Sequence, residues 1–362
     1  MDEKRGWIYF TAHGERQRPF DRAQGKPYDI HLYRVNLKGK SFSQLTEATG
    51  QHAIHFAPSK EFFLDTHSTT ARPPRVELRR ADGTLLQTLA KENIDALKEL
   101  KWSPPEEFVI KAADGKTDLY GVLYKPYDFN PQKKYPVIEV IYAGPQYYEV
   151  PHAFTHPHGF DFHAEHGQAL AQLGFIAFVV DGRGTPGRGK EFQDVAYGNI
   201  GRHEIPDHVA ALKQLAEKRP YMDLSRVGIF GKSLGGYLSL RALLLAPDVY
   251  HVGIAIAPVA DLYVGHWIEA YMDLPEKNKE AYEYASNLRL AENLKGKLLL
   301  IHGTSDGNGP FSQTMKMVEA LIRAGKPYDL LVLPEETHYF TDAATKYIQE
   351  AIRRYFQEHL KP

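Results

Sequence analysis

From about Phe108 onward, the sequence alternates between short apolar segments and longer amphipathic ones. This alternation predicts a mostly parallel β-sheet, because parallel neighbours need a long crossover between them, usually a helix. The predicted strands are 137–142, 175–180, 226–230, 252–257, 297–301 and 328–333. The predicted helices are 164–173, 207–218, 234–245, 312–324 and 343–360. We therefore expect an α/β fold with helices on both faces of the sheet.

Residues 1–95 have a different pattern, in which short alternating or aromatic runs are separated by Gly, Asp and Pro. Such runs are typical of β-strands. The runs 32–39 and 76–83 resemble each other and suggest a repeat of about 40–45 residues, the period of β-propeller blades. About two blades fit in this length, whereas a closed propeller needs about four to eight. We expect a partial propeller at 1–95, a linker at 96–107 and the α/β domain at 108–362.

The composition limits the chemistry that the chain can perform. The 362 residues include no cysteine, which excludes disulfides, thiolate metal sites and cysteine nucleophiles. The 45 acidic and 44 basic side chains leave a net charge of −1, so we expect neither nucleic acid nor a membrane surface as a partner. Without a signal-peptide pattern or a long apolar run, we expect a soluble protein. It would be cytoplasmic as given, or periplasmic or secreted if a signal has been removed.

The sequence Gly-Lys-Ser-Leu-Gly at 231–235 lies between a predicted buried strand and an apolar helix. In this context G-x-S-x-G indicates the nucleophile elbow of an α/β-hydrolase, although a turn rich in small residues is the simpler alternative. The partners of such a serine follow in the order acid, then histidine. Ser233, Asp306 and His338 satisfy this order, and each follows a predicted strand. In such a triad, the acid orients the histidine and the histidine activates the serine.

Three other patterns carry weaker signals. The segment 303–307 also fits G-x-S-x-G, but too little chain follows Ser305 for an acid strand and a histidine, so a loop residue is expected there. The segment 182–187 fits G-x-G-x-x-G, but Pro186 and two glycines stand where a nucleotide-binding helix would begin. Histidines also cluster within 152–166, at positions 152, 156, 158, 163 and 166. Because 17 histidines are spread along the chain and no HExxH order is present, a solvated surface is favoured over a metal site.

Several ordered motifs together resemble the prolyl oligopeptidase family of serine hydrolases, in its dipeptidyl-peptidase-IV-like branch. These motifs are Tyr-Ala-Gly-Pro at 142–145, Asp-Gly-Arg-Gly at 181–184, Gly-Lys-Ser-Leu-Gly-Gly-Tyr at 231–237, Ala-Pro-Val at 257–259, His-Gly-Thr-Ser-Asp-Gly-Asn at 302–308, and His338. The resemblance implies an α/β-hydrolase fold with a mostly parallel, eight-stranded sheet. It also implies that residues 1–95 are the last blades of the family's propeller.

The resemblance assigns roles to further residues. It implies that Ser233, Asp306 and His338 form the triad, and that the Tyr142 hydroxyl and the Leu234 backbone N–H form the oxyanion hole. It implies that four side chains bind substrate, namely Val259, Tyr263, Trp267 and Asn308. The first three would form a small hydrophobic pocket that accepts proline, and Asn308 would bind a substrate carbonyl. Core packing is the alternative for Tyr263 and Trp267.

Two departures from the family shape the expected function. The family's elbow usually reads G-W-S-Y-G-G, whereas Lys232 and Leu234 flank the serine here. Most of the propeller is missing, with the acidic pair that grips a substrate's free amine, and Glu106-Glu107 does not match that pair. We therefore expect a serine hydrolase that needs no cofactor and cleaves small esters or short peptides through a covalent acyl-Ser233 intermediate. Small esters are expected to be the preferred substrates. The alternative is a dipeptidyl-peptidase or prolyl-oligopeptidase type of enzyme cleaving after proline or alanine.

Two other hypotheses lie outside this class of enzyme. They are a non-catalytic binding protein and a metal- or nucleotide-dependent enzyme. Exposed strand edges at 1–95 suggest a homodimer.

Overall fold

The computed structural model describes residues 1–14, 26–154 and 164–361. The chain divides into two compact units. The first contains residues 1–104 and the described part of 151–159, and the second contains the rest. Within the described residues, no helix is both long enough and apolar enough to cross a lipid bilayer.

The first unit is built from strands. They are β1 (Trp7–His13), β2 (Ile30–Asn36), β3 (Phe42–Gln44), β4 (Gln51–Phe56), β5 (Phe62–Ser68), β6 (Arg75–Arg80) and β7 (Leu85–Lys91). β1, β2 and β3 pair antiparallel, as do β4 to β7, and the two groups meet at one parallel pair, Ile30 with Gln51. The expected all-β segment is therefore confirmed. Its apolar core is small and centres on Leu32, Leu45 and Phe63.

The expected linker, residues 96–107, contains regular structure at both ends. Most of helix α1 (Asp95–Glu99) lies in it, and strand β8 begins at Glu106. Glu106 forms ion pairs with Lys125 and Arg219, so one of the two acidic residues at 106–107 belongs to the surface of the second unit.

The second unit contains an eight-stranded sheet. Its strands are β8 (Glu106–Lys111), β9 (Asp118–Tyr124), β10 (Tyr135–Val140), β11 (Ile176–Val180), β12 (Met222–Lys232), β13 (Val252–Ile256), β14 (Lys297–Gly303) and β15 (Asp329–Leu333). Their order is β15-β14-β13-β12-β10-β11-β9-β8. The six strands from β10 onward are parallel, while β9 pairs antiparallel with β11 and with β8. The expected α/β-hydrolase fold is confirmed.

Helices cover both faces of this sheet. They are α2 (Ala164–Ala171), α3 (Lys190–Gln193), α4 (Glu204–Lys218), α5 (Leu234–Leu245), α6 (His266–Met272), α7 (Lys279–Ala285), α8 (Phe311–Arg323) and α9 (Asp342–Leu360). Alternate strand residues point to opposite faces. Val137 therefore joins the core that includes α4 and α5, whereas Ile138 joins the core that includes α2 and α9. α5 is buried along almost its whole length, which gives the residue at its start a rigid support.

Candidate active site

The elbow serine lies in the tight connection between β12 and α5. β12 ends at Lys232, α5 begins at Leu234, and Ser233 between them has φ 60° and ψ −120°. A non-glycine residue rarely adopts this backbone conformation, which costs about 1–3 kcal/mol and must be held by its surroundings. The Ser233 N–H donates to Ile256 O at 2.8 Å, and Tyr237 N–H donates to Ser233 O at 2.9 Å. These bonds fix the serine above the carboxyl end of the sheet.

The two outer glycines of the motif are required by close backbone contact. A Cβ atom on Gly231 would lie 2.1 Å from Ile141 O, and one on Gly235 would lie 2.3 Å from the same oxygen. Both distances are far shorter than a van der Waals contact. The G-x-S-x-G pattern therefore lets α5 begin directly against the end of β10.

The same contact places Tyr142 beside the start of α5. Tyr142 follows β10, and its Cα would be 3.1 Å from a Cβ on Gly235. Its ring stacks on Tyr147 with 3.9 Å between centroids. Burial, reinforced by the nearby Glu149 carboxyl, raises the pKa of Tyr142 above its ordinary value, so the hydroxyl keeps its proton as a donor. Leu234 is the first residue of α5, where backbone N–H groups have no acceptor within the helix.

A buried carboxyl supports the loop that follows Tyr142. Asp181 accepts hydrogen bonds from the backbone N–H groups of Glu149 at 2.7 Å and Val150 at 3.1 Å. Burial raises the pKa of Asp181 to about 6 and raises that of Glu149 well above its ordinary value. The sequence motif at 181–184 is therefore a structural element of the site, which holds the 147–150 loop through Asp181.

The acid and the histidine lie in direct contact. Asp306 follows β14 and His338 follows β15, and His338 Nδ1 is 2.7 Å from Asp306 Oδ2. The backbone N–H groups of Asn308 and Gly309 donate to Asp306 Oδ1 at 2.8 and 2.9 Å. Burial alone would raise the pKa of Asp306, but hydrogen bonds from His302, His338 and the Gly309 N–H outweigh it and lower the pKa. The carboxylate therefore stays ionised and can orient His338.

These residues share one edge of the sheet. Tyr142, Ser233, Asp306 and His338 follow β10, β12, β14 and β15, which all run in parallel. The carboxyl ends of parallel strands lie at the same edge, where α/β proteins hold their ligands. Ser233 is half-buried, whereas Asp306 and His338 are buried. Residues of these types can act as nucleophile, base, acid and oxyanion donor in acyl transfer.

The expected substrate-binding residues lie after the neighbouring strands. Val259 follows β13 and is buried, while Asn308 follows β14 and is exposed. Tyr263 is 45% exposed and Trp267, in the first turn of α6, is 36% exposed. Neither aromatic side chain is core, so the packing alternative for this pair is wrong.

Two features of the site were missed by the sequence analysis. His302, at the end of β14, places Nε2 3.3 Å from Asp306 Oδ2 and also contacts Gly309 O at 2.8 Å, so it buttresses the acid. The signal for it was a histidine directly before Gly303, within an apolar strand. The second feature is Lys232, to which the sequence assigns no role beyond a departure from the family's elbow motif. Its ammonium lies 4.6 Å from the Phe340 ring centroid. Burial lowers its pKa to about 8.

The weaker motifs remain outside this arrangement. Ser305 is exposed. No helix begins within 182–187, because α3 starts at Lys190, and Arg183 forms a double hydrogen bond with the Asp207 carboxylate. Of the histidine cluster, residues 156, 158 and 163 lie outside the described residues, and His152 stacks on Tyr28 with 4.3 Å between centroids.

Comparison with known proteins agrees with the fold and the motifs. The fold is that of an α/β-hydrolase, and residues 160–362 match the prolyl oligopeptidase family. Residues 1–74 match the dipeptidyl peptidase IV (DPP IV) N-terminal region. The chain belongs to the prolyl oligopeptidase family of serine hydrolases. The resemblance inferred from the sequence is thereby confirmed.

Individual relatives are dipeptidyl peptidases. The chain is 34% identical to human dipeptidyl peptidase 8 and 33% identical to the mouse protein, with 99% of this chain covered in each case. It spans only 40% of the length of either relative. The crystal structure of Porphyromonas gingivalis dipeptidyl peptidase 4 superposes with a TM-score of 0.83 at 30% identity, covering 98% of this chain and 48% of that one. These relatives favour the peptide alternative, and the expected preference for esters is not supported.

Proposed function

We propose that the chain is a dipeptidyl-peptidase-type serine peptidase that cleaves short peptides after proline or alanine. The observation that carries this proposal is the 2.7 Å hydrogen bond between His338 and Asp306, at the sheet edge that also presents the strained Ser233. The relatives support short peptides as the substrate class, because they are named dipeptidyl peptidases. The buried, ionised Asp306 supports a triad in which His338 acts as the base.

The first half of the reaction transfers the acyl group to the enzyme. Ser233 Oγ attacks the carbonyl carbon of the scissile bond, while His338 Nε2, the ring nitrogen that does not face Asp306, takes the serine proton. The tetrahedral oxyanion accepts hydrogen bonds from the Tyr142 hydroxyl and the Leu234 N–H. The C–N bond then breaks, the departing amine takes the proton from His338, and an ester to Ser233 remains.

The second half regenerates the enzyme. A water molecule gives a proton to His338 and attacks the acyl carbon, and the oxyanion forms again at the same donors. The C–O bond to Ser233 breaks, and the serine recovers its proton from His338. Val259 and the exposed aromatic pair Tyr263 and Trp267 would enclose a small ring such as that of proline, and Asn308 would donate its amide N–H to a substrate carbonyl.

A comparison of three substrates tests this proposal. Gly-Pro-p-nitroanilide, its N-acetylated form and p-nitrophenyl butyrate should be compared by kcat/KM with the purified chain under one set of conditions. We expect hydrolysis of Gly-Pro-p-nitroanilide, a loss on N-acetylation, and no turnover by Ser233→Ala. Cleavage of the butyrate ester with no detectable cleavage of the Gly-Pro amide would refute the peptidase assignment and restore the ester alternative.

We also propose that the chain forms a homodimer through the first unit. β7 lies at an end of its sheet, and it carries exposed leucines at positions 85, 86 and 89. An exposed apolar edge strand invites pairing with another chain. Light scattering at micromolar concentration should give the mass of two chains, and Leu86→Lys should shift it to one. A single-chain mass for the unmodified protein would contradict the dimer.

A further inference from the structure

A buried polar cluster lies within the first unit. Asp65 and His67 are two residues apart on β5 and therefore lie on the same face of the sheet. Glu77 on β6 stands directly opposite Asp65 in the strand register. All three residues are at most 3% exposed. Two carboxylates in such a place need compensation, because an unpaired buried charge is very costly.

One oxygen of each carboxylate is already held by a neighbour. Asp65 Oδ1 lies 2.7 Å from His52 Nδ1, and Arg79 Nη2 donates to Glu77 Oε2 at 2.7 Å. The other ring nitrogen of His52 contacts Ala48 O at 2.6 Å, so both nitrogens of this histidine are occupied. His52 therefore orients the Asp65 carboxylate, and Arg79, whose guanidinium reaches an oxygen of both carboxylates, orients Asp65 and Glu77 together.

Three polar atoms of this cluster are left without hydrogen bonds. Among the described residues, neither ring nitrogen of His67 has a hydrogen-bond partner, and the same holds for Asp65 Oδ2. The nearest carboxylate oxygen to His67 Nε2 is Glu77 Oε1 at 3.5 Å, and Arg75 Nη1 lies at the same distance from that oxygen. Arg79 Nε approaches Asp65 Oδ2 only to 3.4 Å. Buried polar atoms nearly always have a partner, so three such atoms in one place require an explanation.

We propose that Asp65, His67 and Glu77 bind a divalent transition-metal ion of the zinc type. One potential ligand atom from each residue lies within 4.8 Å of the other two. Bonds to zinc of about 2.0–2.2 Å bring ligand atoms to about 3.4 Å from each other, a distance that small side-chain rotations can reach. Metal-binding side chains are usually held by outer hydrogen bonds of the kind that His52 and Arg79 provide here.

The donor set selects the class of ion. One imidazole nitrogen with two carboxylate oxygens suits zinc and neighbouring transition metals, whereas calcium and magnesium favour oxygen ligands alone. The ion would tie β5 to β6 and add stability to a unit whose apolar core is small.

Metal binding to the full chain tests the proposal. The chain is stripped with EDTA, incubated with zinc chloride, desalted, and assayed for retained zinc and for Tm. We expect wild type to retain one more zinc per chain than His67→Gln or Glu77→Gln, and zinc to raise its Tm by several degrees. His55→Gln, at an exposed histidine on β4, is the matched control and should behave as wild type. Equal retention by wild type and both cluster variants would overturn the proposal.

A second measurement on wild type alone covers the case in which the variants do not fold. Hydrogen–deuterium exchange with and without zinc should show slower exchange in peptides covering 62–68 and 75–80, the strands that carry the three ligands. With magnesium chloride in place of zinc, no such protection is expected. Zinc-dependent protection found elsewhere, with none in β5 and β6, would show that the cluster is only an ion-pair network.

Discussion

The ammonium group of Lys232 lies 4.6 Å from the ring centroid of Phe340. This cation–π contact joins the residue before the elbow serine to the loop that carries His338. A second ring on the same loop, Tyr339, lies 5.9 Å from the ammonium. Contacts of this type are worth about 0.5–2 kcal/mol, with the larger values where the cation is desolvated. The position before the serine therefore links two parts of the site that come from distant strands.

Lys232 should make stability depend on pH above neutrality. Its pKa is lowered by burial from 10.5 to about 8 in the folded chain. The fold therefore disfavours the charged form, and this penalty is complete below pH 8 and shrinks as the pH rises toward 10.5. The free energy of unfolding of wild type should rise relative to Lys232→Met across this interval, by at most about 3 kcal/mol.

Urea unfolding of both proteins at pH 7, 8, 9 and 10 measures this difference. Lys213→Met, at an exposed position on α4, is the control and should stay parallel to wild type. If the difference between wild type and Lys232→Met is the same at every pH, Lys232 is not a titrating buried cation.

Ser233→Ala should abolish the chemistry while leaving the fold intact. The triad residues act as a unit, so kcat should fall by several orders of magnitude. A fluorophosphonate probe should label wild type and Ser305→Ala equally, since Ser305 is exposed and stands beside the acid instead of at an elbow. Labelling that persists in Ser233→Ala would remove this serine from the role of nucleophile.

Tyr142→Phe should lower kcat without unfolding the chain. The substitution keeps the ring that stacks on Tyr147 and removes only the hydroxyl. One oxyanion donor is typically worth about 2.7–4 kcal/mol, or roughly 100- to 1000-fold in kcat. Tyr347→Phe, on the exposed face of α9, should have no effect. Steady-state kinetics with a thermal melt separates the two outcomes, and an unchanged kcat would exclude Tyr142 from the oxyanion hole.

Much of the second unit could be predicted because its signals are local. Apolar strands alternating with amphipathic helices identify a parallel sheet, and the glycines at 231 and 235 mark the elbow that lets α5 approach Ile141 O. The order of Ser233, Asp306 and His338 along the chain then places all three at one sheet edge, because the strands that precede them are parallel.

Other features have no signature in the pattern of apolar residues along the chain. β8 and β9 form an antiparallel edge of the sheet, and half of the β8 side chains face solvent, so no continuous apolar run marks β8. His302 acts only because Asp306 and Gly309 fold back onto it. The preference for esters rested on groups missing from the propeller, and an inference from missing residues says nothing about how the remaining ones bind peptides.

Asp306→Asn should separate the role of the acid in catalysis from its role in stability. An amide cannot hold His338 in the tautomer that leaves Nε2 free to accept a proton, and such a change lowers kcat on the order of 10⁴-fold.

Hydrogen bonds from His302, His338 and the Gly309 N–H lower the pKa of Asp306 below 3.8, against the effect of its burial. The ionised form therefore stabilises the fold fully above about pH 4, and this contribution is lost as the pH falls below that value. In an acid titration, the folded fraction should consequently fall less steeply with decreasing pH for Asp306→Asn than for wild type. Asp128→Asn, at an exposed carboxyl, should retain the slope of wild type and full activity. A variant with near-normal kcat, or with the acid slope of wild type, would contradict the corresponding half of this prediction.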